Sequence, residues 1–194
     1  QLHTTRRRQR QMCIRDSDKT KHLIRCINMN NKNLRNVLSK FATGVTIVST
    51  IDDDRKPVGM TVNSFTSVSL DPPLVLWNIG INQPSYDIFL NAKGYSVSIL
   101  SKDQRDICNL FSSSVDNKFN NIDFVLCDNG FPIIQKSLAW FDCLKWNNYP
   151  GGDHQILVGE VINFHANEND PLIFWNGSFC LLYTSDAADD VYCV

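Results

Sequence analysis

Short runs of β-branched and apolar residues, separated by polar clusters, recur along most of this chain and constrain its fold more than any other feature. The run at 45–50 is followed by a charged turn cluster at 52–57 and a second run at 58–62, which predicts a β-hairpin. Two prolines then block helix formation and introduce the apolar run at 74–79, which predicts a buried strand. Further strand-like segments are residues 95–100, 124–126, 139–146, 155–167 and 172–175.

Helical spacing of apolar residues is confined to a few short segments. The pattern predicts a helix at 34–41 that Gly44 ends, and a short helix at 85–91. A further helix follows Ser101, which can form a capping box with Gln104. Because strands and helices do not alternate as regular βαβ units, we expect a mainly β fold, an antiparallel barrel with a few short flanking helices.

The two ends of the chain look foreign to the rest. Residues 1–17 carry a basic run, and both this segment and residues 180–194 lack the period of a helix or strand. If residues 11–16 are encoded by CAG ATG TGT ATA AGA GAC, the complementary strand in another frame encodes Leu-Leu-Tyr-Thr-Ser, the sequence of residues 181–185. An inverted oligonucleotide, such as a library adapter translated at both ends, explains this relation. We therefore expect one native domain at 18–179; the alternative is a basic arm for nucleic acid or membrane.

Charge and cysteine usage exclude several classes of protein. The chain has 19 Lys and Arg against 20 Asp and Glu, which gives no electrostatic footprint for nucleic acid. No apolar run approaches the roughly 20 residues that span a bilayer, so we expect a cytoplasmic protein that does not enter a membrane. Cys26, Cys108, Cys127 and Cys143 lack the spacing of a zinc site or a disulfide framework, which predicts reduced, mostly buried thiols and no bound metal.

The first candidate site is the segment 59–73. It reads Gly-Met-Thr-Val-Asn-Ser-Phe-Thr-Ser-Val-Ser-Leu-Asp-Pro-Pro, a strand that runs into a loop rich in hydroxyl groups. Such a loop can offer backbone N–H groups and short side-chain donors to a phosphate, or to the carbonyls of a flat ring, without a lysine. The alternative is that these hydroxyls only satisfy turn backbone. The sequence has no motif of a Rossmann site, a P-loop, a zincin or an α/β-hydrolase.

The second candidate site is the segment Pro-Gly-Gly-Asp-His at 150–154. A histidine delivered from a Gly-Gly turn onto the start of a strand can face a cofactor pocket and hydrogen-bond a substrate amide. Asp153 can cap the turn or orient the His154 ring. The alternative is that His154 is a surface or core-edge residue with no chemical role.

Several separated motifs, in matching order and spacing, resemble the flavin reductase family. They are Phe-Ala-Thr-Gly-Val-Thr at 41–46, the segment 59–73, Ser-Ile-Leu-Ser at 98–101 with Lys118-Phe119 downstream, and Gly152-Asp153-His154 through residues 159–161. The resemblance implies a split β-barrel that binds flavin, a homodimer, and an NAD(P)H-dependent flavin reductase. In such an enzyme NADH or NADPH reduces FMN or FAD, and the reduced flavin commonly serves a partner monooxygenase.

The resemblance also implies the residues of the site. Those that would line the isoalloxazine ring and the ribityl phosphate arm are Thr61, Val62, Asn63, Ser64, Ser67, Val68 and Ser69. Ser85 matches a position near the phosphate, and His154 matches the catalytic-site residue beside the nicotinamide and flavin rings. One departure is Asn176-Gly177-Ser178, where the family often has a basic residue. Two rival functions stay open: a flavoprotein with tightly bound FMN that reduces another acceptor, and a non-enzymatic flavin- or haem-binding module.

Overall fold

The computed structural model describes residues 30–180, so the segments 1–17 and 181–194 lie outside the described residues. The chain divides into two compact units, Gln1–Phe41 and Ala42–Val194. The described part of the first unit contains one helix, α1 (Asn31–Leu38), whose N-cap Asn30 accepts a hydrogen bond from the Lys32 N–H at 2.9 Å. The expected helix is therefore present. It ends at Leu38 rather than at Gly44, and its apolar side chains are exposed.

The second unit is built mainly from strands. In chain order its elements are β1 (Thr43–Gly44), β2 (Thr46–Ile51), β3 (Pro57–Val62), β4 (Thr66–Leu70), β5 (Pro73–Gly80), α2 (Tyr86–Asn91), β6 (Gly94–Ile99), a 3-10 turn (Lys102–Gln104), α3 (Arg105–Ser112), β7 (Phe124–Leu126), β8 (Pro132–Ile134), β9 (Ala139–Gly151), β10 (His154–Ala166), β11 (Ile173–Trp175) and β12 (Ser178–Cys180). The expected hairpin is β2 and β3. The expected capping box begins the 3-10 turn that leads into α3, and in it the Gln104 side chain accepts from the Ser101 N–H at 3.1 Å.

Seven strands form the central antiparallel sheet in the order β3-β2-β6-β9-β10-β5-β4. Its two edge strands, β3 and β4, are consecutive in the chain and joined only by Asn63, Ser64 and Phe65. Because an extended chain advances about 3.5 Å per residue, the sheet has to curl until its edges approach at this corner. The mainly β, antiparallel fold with short helices is confirmed, and the curled sheet leaves a seam between β3 and β4.

The sheet is covered on both of its faces. On one face Trp77 lies at the centre, with ring centroids 5.0 Å from Phe89 and 5.6 Å from Tyr95. On the other face Phe111 of α3 packs with Phe119 and with Ile47 of β2, and Ser96 and Ser98 of β6 hydrogen-bond to the backbone of β8. Strand β6 is therefore buried on both faces at Tyr95, Ser96, Val97 and Ser98, although alternation of apolar and polar residues is typical of a half-buried strand.

Four strands were not predicted: β1, β4, β8 and β12. Each has five residues or fewer, and β4 lies in the hydroxyl-rich segment that the sequence analysis read as a loop. Its residues become a strand because they pair with β5, from Thr66 opposite Leu76 to Leu70 opposite Pro73. Within residues 30–180, none of the helices is long and apolar enough to cross a membrane.

Candidate active site

A cleft of about 420 Å³ opens beside the seam of the sheet. Its walls come from the end of β3 with the loop that follows, from the end of β5, and from the start of β10. The lining residues are Met60, Thr61, Val62, Asn63, Ser64, Asn78, Gly80, Gln83, Gly151, His154 and Ile156. Five residues singled out in the sequence thus come together: Thr61, Val62, Asn63, Ser64 and His154.

Two hydroxyls of this wall, on Thr61 and Ser64, make hydrogen bonds to backbone groups of neighbouring elements. The Thr61 hydroxyl donates to the Cys108 carbonyl of α3 at 2.8 Å, which ties the helix to the cleft. The Ser64 hydroxyl accepts from the Asn78 N–H at 3.0 Å, which bridges β5 to the loop across the seam. Both hydroxyls therefore bond to backbone groups of the protein, and their role in flavin binding stays a prediction of the resemblance. What this wall offers a ligand is the exposed Asn63 side chain together with the backbone of the loop.

Asn78 is a site residue that the sequence analysis did not find. Its Oδ1 atom is buried and has no hydrogen-bond partner among the described residues. A buried acceptor without a hydrogen-bond partner costs about 1–3 kcal/mol of stability. A hydrogen-bond donor from a bound molecule would therefore be favourable there. An asparagine inside the apolar run at 74–79 was the signal, because strand interiors are otherwise depleted in this residue.

His154 stands at the mouth of the cleft because of the β9–β10 turn. Gly152 has a φ of +79° and is the first of two turn residues, which fits a type II′ hairpin turn. The turn puts His154 opposite Gly80, where a Cβ atom would lie 3.7 Å from the His154 Nε2 atom. The His154 ring thus lies against the backbone of Gly80 at the end of β5.

Asp153 orients the histidine, as the sequence suggested. The His154 Nδ1 and Asp153 Oδ1 atoms are 2.7 Å apart, and the His154 side chain is 49% exposed. When Nδ1 donates to this carboxylate, a neutral ring keeps Nε2 as an acceptor. Such an acceptor suits the amide N–H of a substrate.

A wider groove of about 700 Å³ continues from the cleft and shares Met60, Thr61 and Gln83 with it. Its far walls are Ser85 at the start of α2, the end of α3 at Phe111 and Ser112, and residues 113–119. The Ser85 hydroxyl lies 3.8 Å from the Met60 sulfur and makes no capping bond in α2. Ser85 is therefore placed next to the cleft rather than inside it.

The remaining predicted residues, Ser67, Val68 and Ser69, lie on edge strand β4 and line neither cavity. The Ser69 hydroxyl accepts from the Asp71 N–H at 3.2 Å. Their proposed role in flavin binding rests on the resemblance alone.

The departure at Asn176-Gly177 has a local explanation. These two residues join β11 to β12 and have φ of 52° and 78°, the pair of positive values that a type I′ turn requires.

Among residues 30–180 there is no group of three or more His, Cys, Asp or Glu that could hold a metal ion.

Comparison with known proteins places this geometry in a family. The model of the Flavin reductase like domain matches residues 38–183. Among curated proteins, the NADH-dependent FMN reductase SmoA of Agrobacterium fabrum is 41% identical over 150 residues, which cover 77% of this chain and 85% of that protein. The reductase component of a flavin-dependent trigonelline monooxygenase from Acinetobacter baylyi is 37% identical over 76% of this chain, but the match spans only 48% of that longer protein.

Solved structures agree with the sequence comparison. The NADH:FAD oxidoreductase SgcE6 of Streptomyces globisporus, in complex with NAD and FAD fragments, superimposes with a TM-score of 0.77 at 34% identity, covering 82% of this chain and 96% of that one. The flavin reductase PheA2 gives a TM-score of 0.74 at 36% identity, covering 79% and 99% of the two chains.

Proposed function

This chain belongs to the flavin reductase-like domain family and is an NAD(P)H:flavin oxidoreductase, and we propose that the cleft beside His154 is where the flavin and the nicotinamide meet. The observation that carries the proposal is the convergence of Asn63, Asn78 and His154 on one cleft at the seam. The cleft has the size and the few polar groups typical of a site for a small ligand.

In this reaction the flavin supplies the redox chemistry by accepting a hydride from the nicotinamide. The protein orients the two rings. The unpartnered Asn78 Oδ1 is suited to accept from a ring N–H, and Asn63 can donate to a ring carbonyl. Backbone N–H groups of the loop at 63–65 favour negative charge that develops on the reduced ring. His154, held by Asp153, accepts from the nicotinamide amide and fixes its distance from the flavin.

Reduced flavin then leaves to serve a partner monooxygenase. This part of the proposal is supported by relatives that are themselves named reductase components or subunits of monooxygenases. FMN and FAD, and NADH and NADPH, are all compatible with the proposal. The cytoplasm is the proposed compartment, since the described cysteines Cys108, Cys127, Cys143 and Cys180 are free thiols.

A homodimer is the proposed assembly. Large apolar side chains are exposed on the long β9–β10 pair, among them Trp146 at 51% and Phe164 at 69%. Exposed aromatic residues on neighbouring strands are typical of a protein–protein contact.

Steady-state NADH oxidation, measured with and without added FMN, tests the function. We expect oxidation that requires added flavin and saturates with it. Turnover of the purified protein without added flavin, to a different acceptor, would support the flavoprotein with tightly bound FMN. Flavin or haem binding without any turnover would support the non-enzymatic module.

A further inference from the structure

Met60 lines both the cleft and the groove that continues from it, and its side chain is half-buried. It lies on β3 opposite Val48 and packs against the buried core of the sheet. Its sulfur is 3.8 Å from the Ser85 hydroxyl, which makes no capping bond in α2. The Met60 thioether is therefore within reach of small molecules that enter the cleft.

Three of the four thiols within residues 30–180 are poor targets for an oxidant. Cys108 and Cys143 are buried, and burial raises the pKa of both thiols. Burial also raises the pKa of Cys127 to about 11. Because peroxide reacts with a thiolate rather than with a thiol, these three residues are protected at neutral pH. The fourth thiol, Cys180, lines neither cavity, so Met60 is the sulfur-containing side chain of the cleft.

The proposed reaction supplies an oxidant at this place. Reduced flavin that no monooxygenase takes up passes two electrons and two protons to O2, which gives oxidised flavin and hydrogen peroxide. Peroxide can then transfer one oxygen atom to the Met60 sulfur: the O–O bond breaks, an S–O bond forms, and water leaves. The thioether becomes a sulfoxide, and the Ser85 hydroxyl is placed to donate to the new oxygen.

Oxidation of Met60 would change the wall of the cleft. A sulfoxide is polar, whereas the thioether shares its face of the sheet with the buried side chain of Val48. The new oxygen would either occupy space in the cleft or enter this apolar contact without a hydrogen-bond donor. Both placements disfavour a flavin bound against β3.

We propose that Met60 is a site of oxidation by hydrogen peroxide, through which unused reduced flavin slows the enzyme that made it. This inference rests on the proposed function and adds a form of regulation to it. When a partner monooxygenase consumes the reduced flavin, little peroxide forms and Met60 stays a thioether. When no partner takes the flavin, peroxide accumulates and the reductase loses activity.

The test treats the full chain with hydrogen peroxide and then removes the peroxide with catalase. Peptide mass spectrometry locates any added oxygen, because Met12, Met29 and Met60 fall on separate tryptic peptides. Fluorescence titration gives the FMN affinity, and NADH oxidation gives the rate. We expect kcat/KM for FMN to fall roughly tenfold as the Met60 peptide gains one oxygen, a loss typical of a polar group brought into an apolar contact. Methionine sulfoxide reductase should restore the activity.

Met60→Leu is the matched variant, because leucine has a similar volume and no sulfur. The variant keeps Met12, Met29 and every cysteine, so it controls for oxidation elsewhere in the chain. At a peroxide concentration that lowers wild-type activity about tenfold, it should keep more than about half of its own untreated activity.

A second arm uses peroxide that the enzyme makes itself. Wild-type protein oxidises NADH in air with FMN, with and without catalase. The Met60 peptide should gain oxygen in the sample without catalase and stay unmodified in the other.

The inference fails if Met60→Leu loses the same fraction of its activity as wild type, or if wild type with oxidised Met60 keeps its FMN affinity and its rate. It also fails if turnover in air releases peroxide and leaves Met60 unoxidised. A wild-type protein that reduces no flavin overturns the proposed function instead. Normal flavin reduction by a protein whose Met60 resists peroxide removes only the present inference.

Discussion

At the scale of single residues, His154 is the side chain whose chemistry can be tested most directly. His154→Ala should slow reduction of bound flavin roughly ten- to a hundredfold and leave flavin affinity nearly unchanged, because a misplaced nicotinamide raises the barrier without removing the flavin. Stopped-flow reduction of prebound flavin at several NADH concentrations measures both quantities.

His165 offers a matched control for this variant. It lies on the same strand, with its Nε2 atom 3.2 Å from the Asn167 Oδ1 atom and its ring 6.2 Å from that of Trp140. His165→Ala should reduce flavin at the wild-type rate. If His154→Ala does the same, His154 is a turn residue and its proposed role is wrong.

Substitutions of Asn63 and Ser67 distinguish two parts of the segment 59–73, both of which the resemblance assigns to the flavin site. Asn63 lines the cleft, whereas Ser67 lies on edge strand β4 outside it. Asn63→Ala should weaken flavin binding by about 0.5–1.5 kcal/mol, the value of one neutral hydrogen bond. Fluorescence titration with FMN gives the affinity.

The resemblance predicts the same effect for Ser67→Ala. A loss there would extend the site onto β4, and unchanged affinity would confine it to the cleft. Unchanged affinity in both variants would contradict the proposed location of the flavin.

At the scale of secondary-structure elements, the contact between α3 and β3 sets the width of the groove. Gly59→Ala would place a Cβ 2.7 Å from the Phe111 Cε1 atom and 3.1 Å from Phe119. We expect this overpacking to lower the free energy of unfolding by about 1–3 kcal/mol, measured by urea denaturation. Gly44→Ala is the control, since no atom lies within 4 Å of a Cβ at that position and its φ is not positive. If the Gly59→Ala protein is as stable as the Gly44→Ala protein, α3 can shift to make room for the methyl group without a loss of free energy of unfolding.

Strand β4 could not be predicted from its own residues. Its sequence Thr-Ser-Val-Ser-Leu has β-branched residues but is mostly polar and exposed. The pattern therefore lacks the buried apolar face that would predict a strand. Pairing with β5 makes these residues a strand, because the buried side chains of Val75, Trp77 and Ile79 fix β5 in the core and β4 pairs along its edge. The hairpin β2–β3 was predictable, since its turn cluster and both of its strands are contiguous in sequence.

At the scale of the whole molecule, the origin of the chain ends is open to experiment. We propose that residues 1–17 and 180–194 are not native, so deleting both should leave flavin binding intact and lower the melting temperature by less than about ten degrees. Among the described residues this deletion removes only Cys180, which pairs with Ile173 at the end of β12, so little of the sheet is lost. Thermal denaturation and FMN titration of the shortened chain measure the two effects.

A longer deletion provides the comparison. Removing residues 176–194 also removes β12 and Phe179, whose ring lies 5.6 Å from that of Phe174. This variant should be clearly less stable than the first. A fall of ten degrees or more on the first deletion would mean that the end segments belong to the folded protein.

The sequence by itself determined the mainly β class, the β2–β3 hairpin, the position of α3 and the turn that presents His154, because each depends on residues that are neighbours in the chain. It also brought Thr61, Val62, Asn63 and Ser64 together in one segment. Only the tertiary structure decided that the sheet curls until its edge strands meet at the Asn63–Phe65 corner, that β6 is buried on both faces, and that Asn78 lines the cleft. The physical reason is that these features depend on pairing and burial between segments far apart in the chain, which no local pattern of residues records.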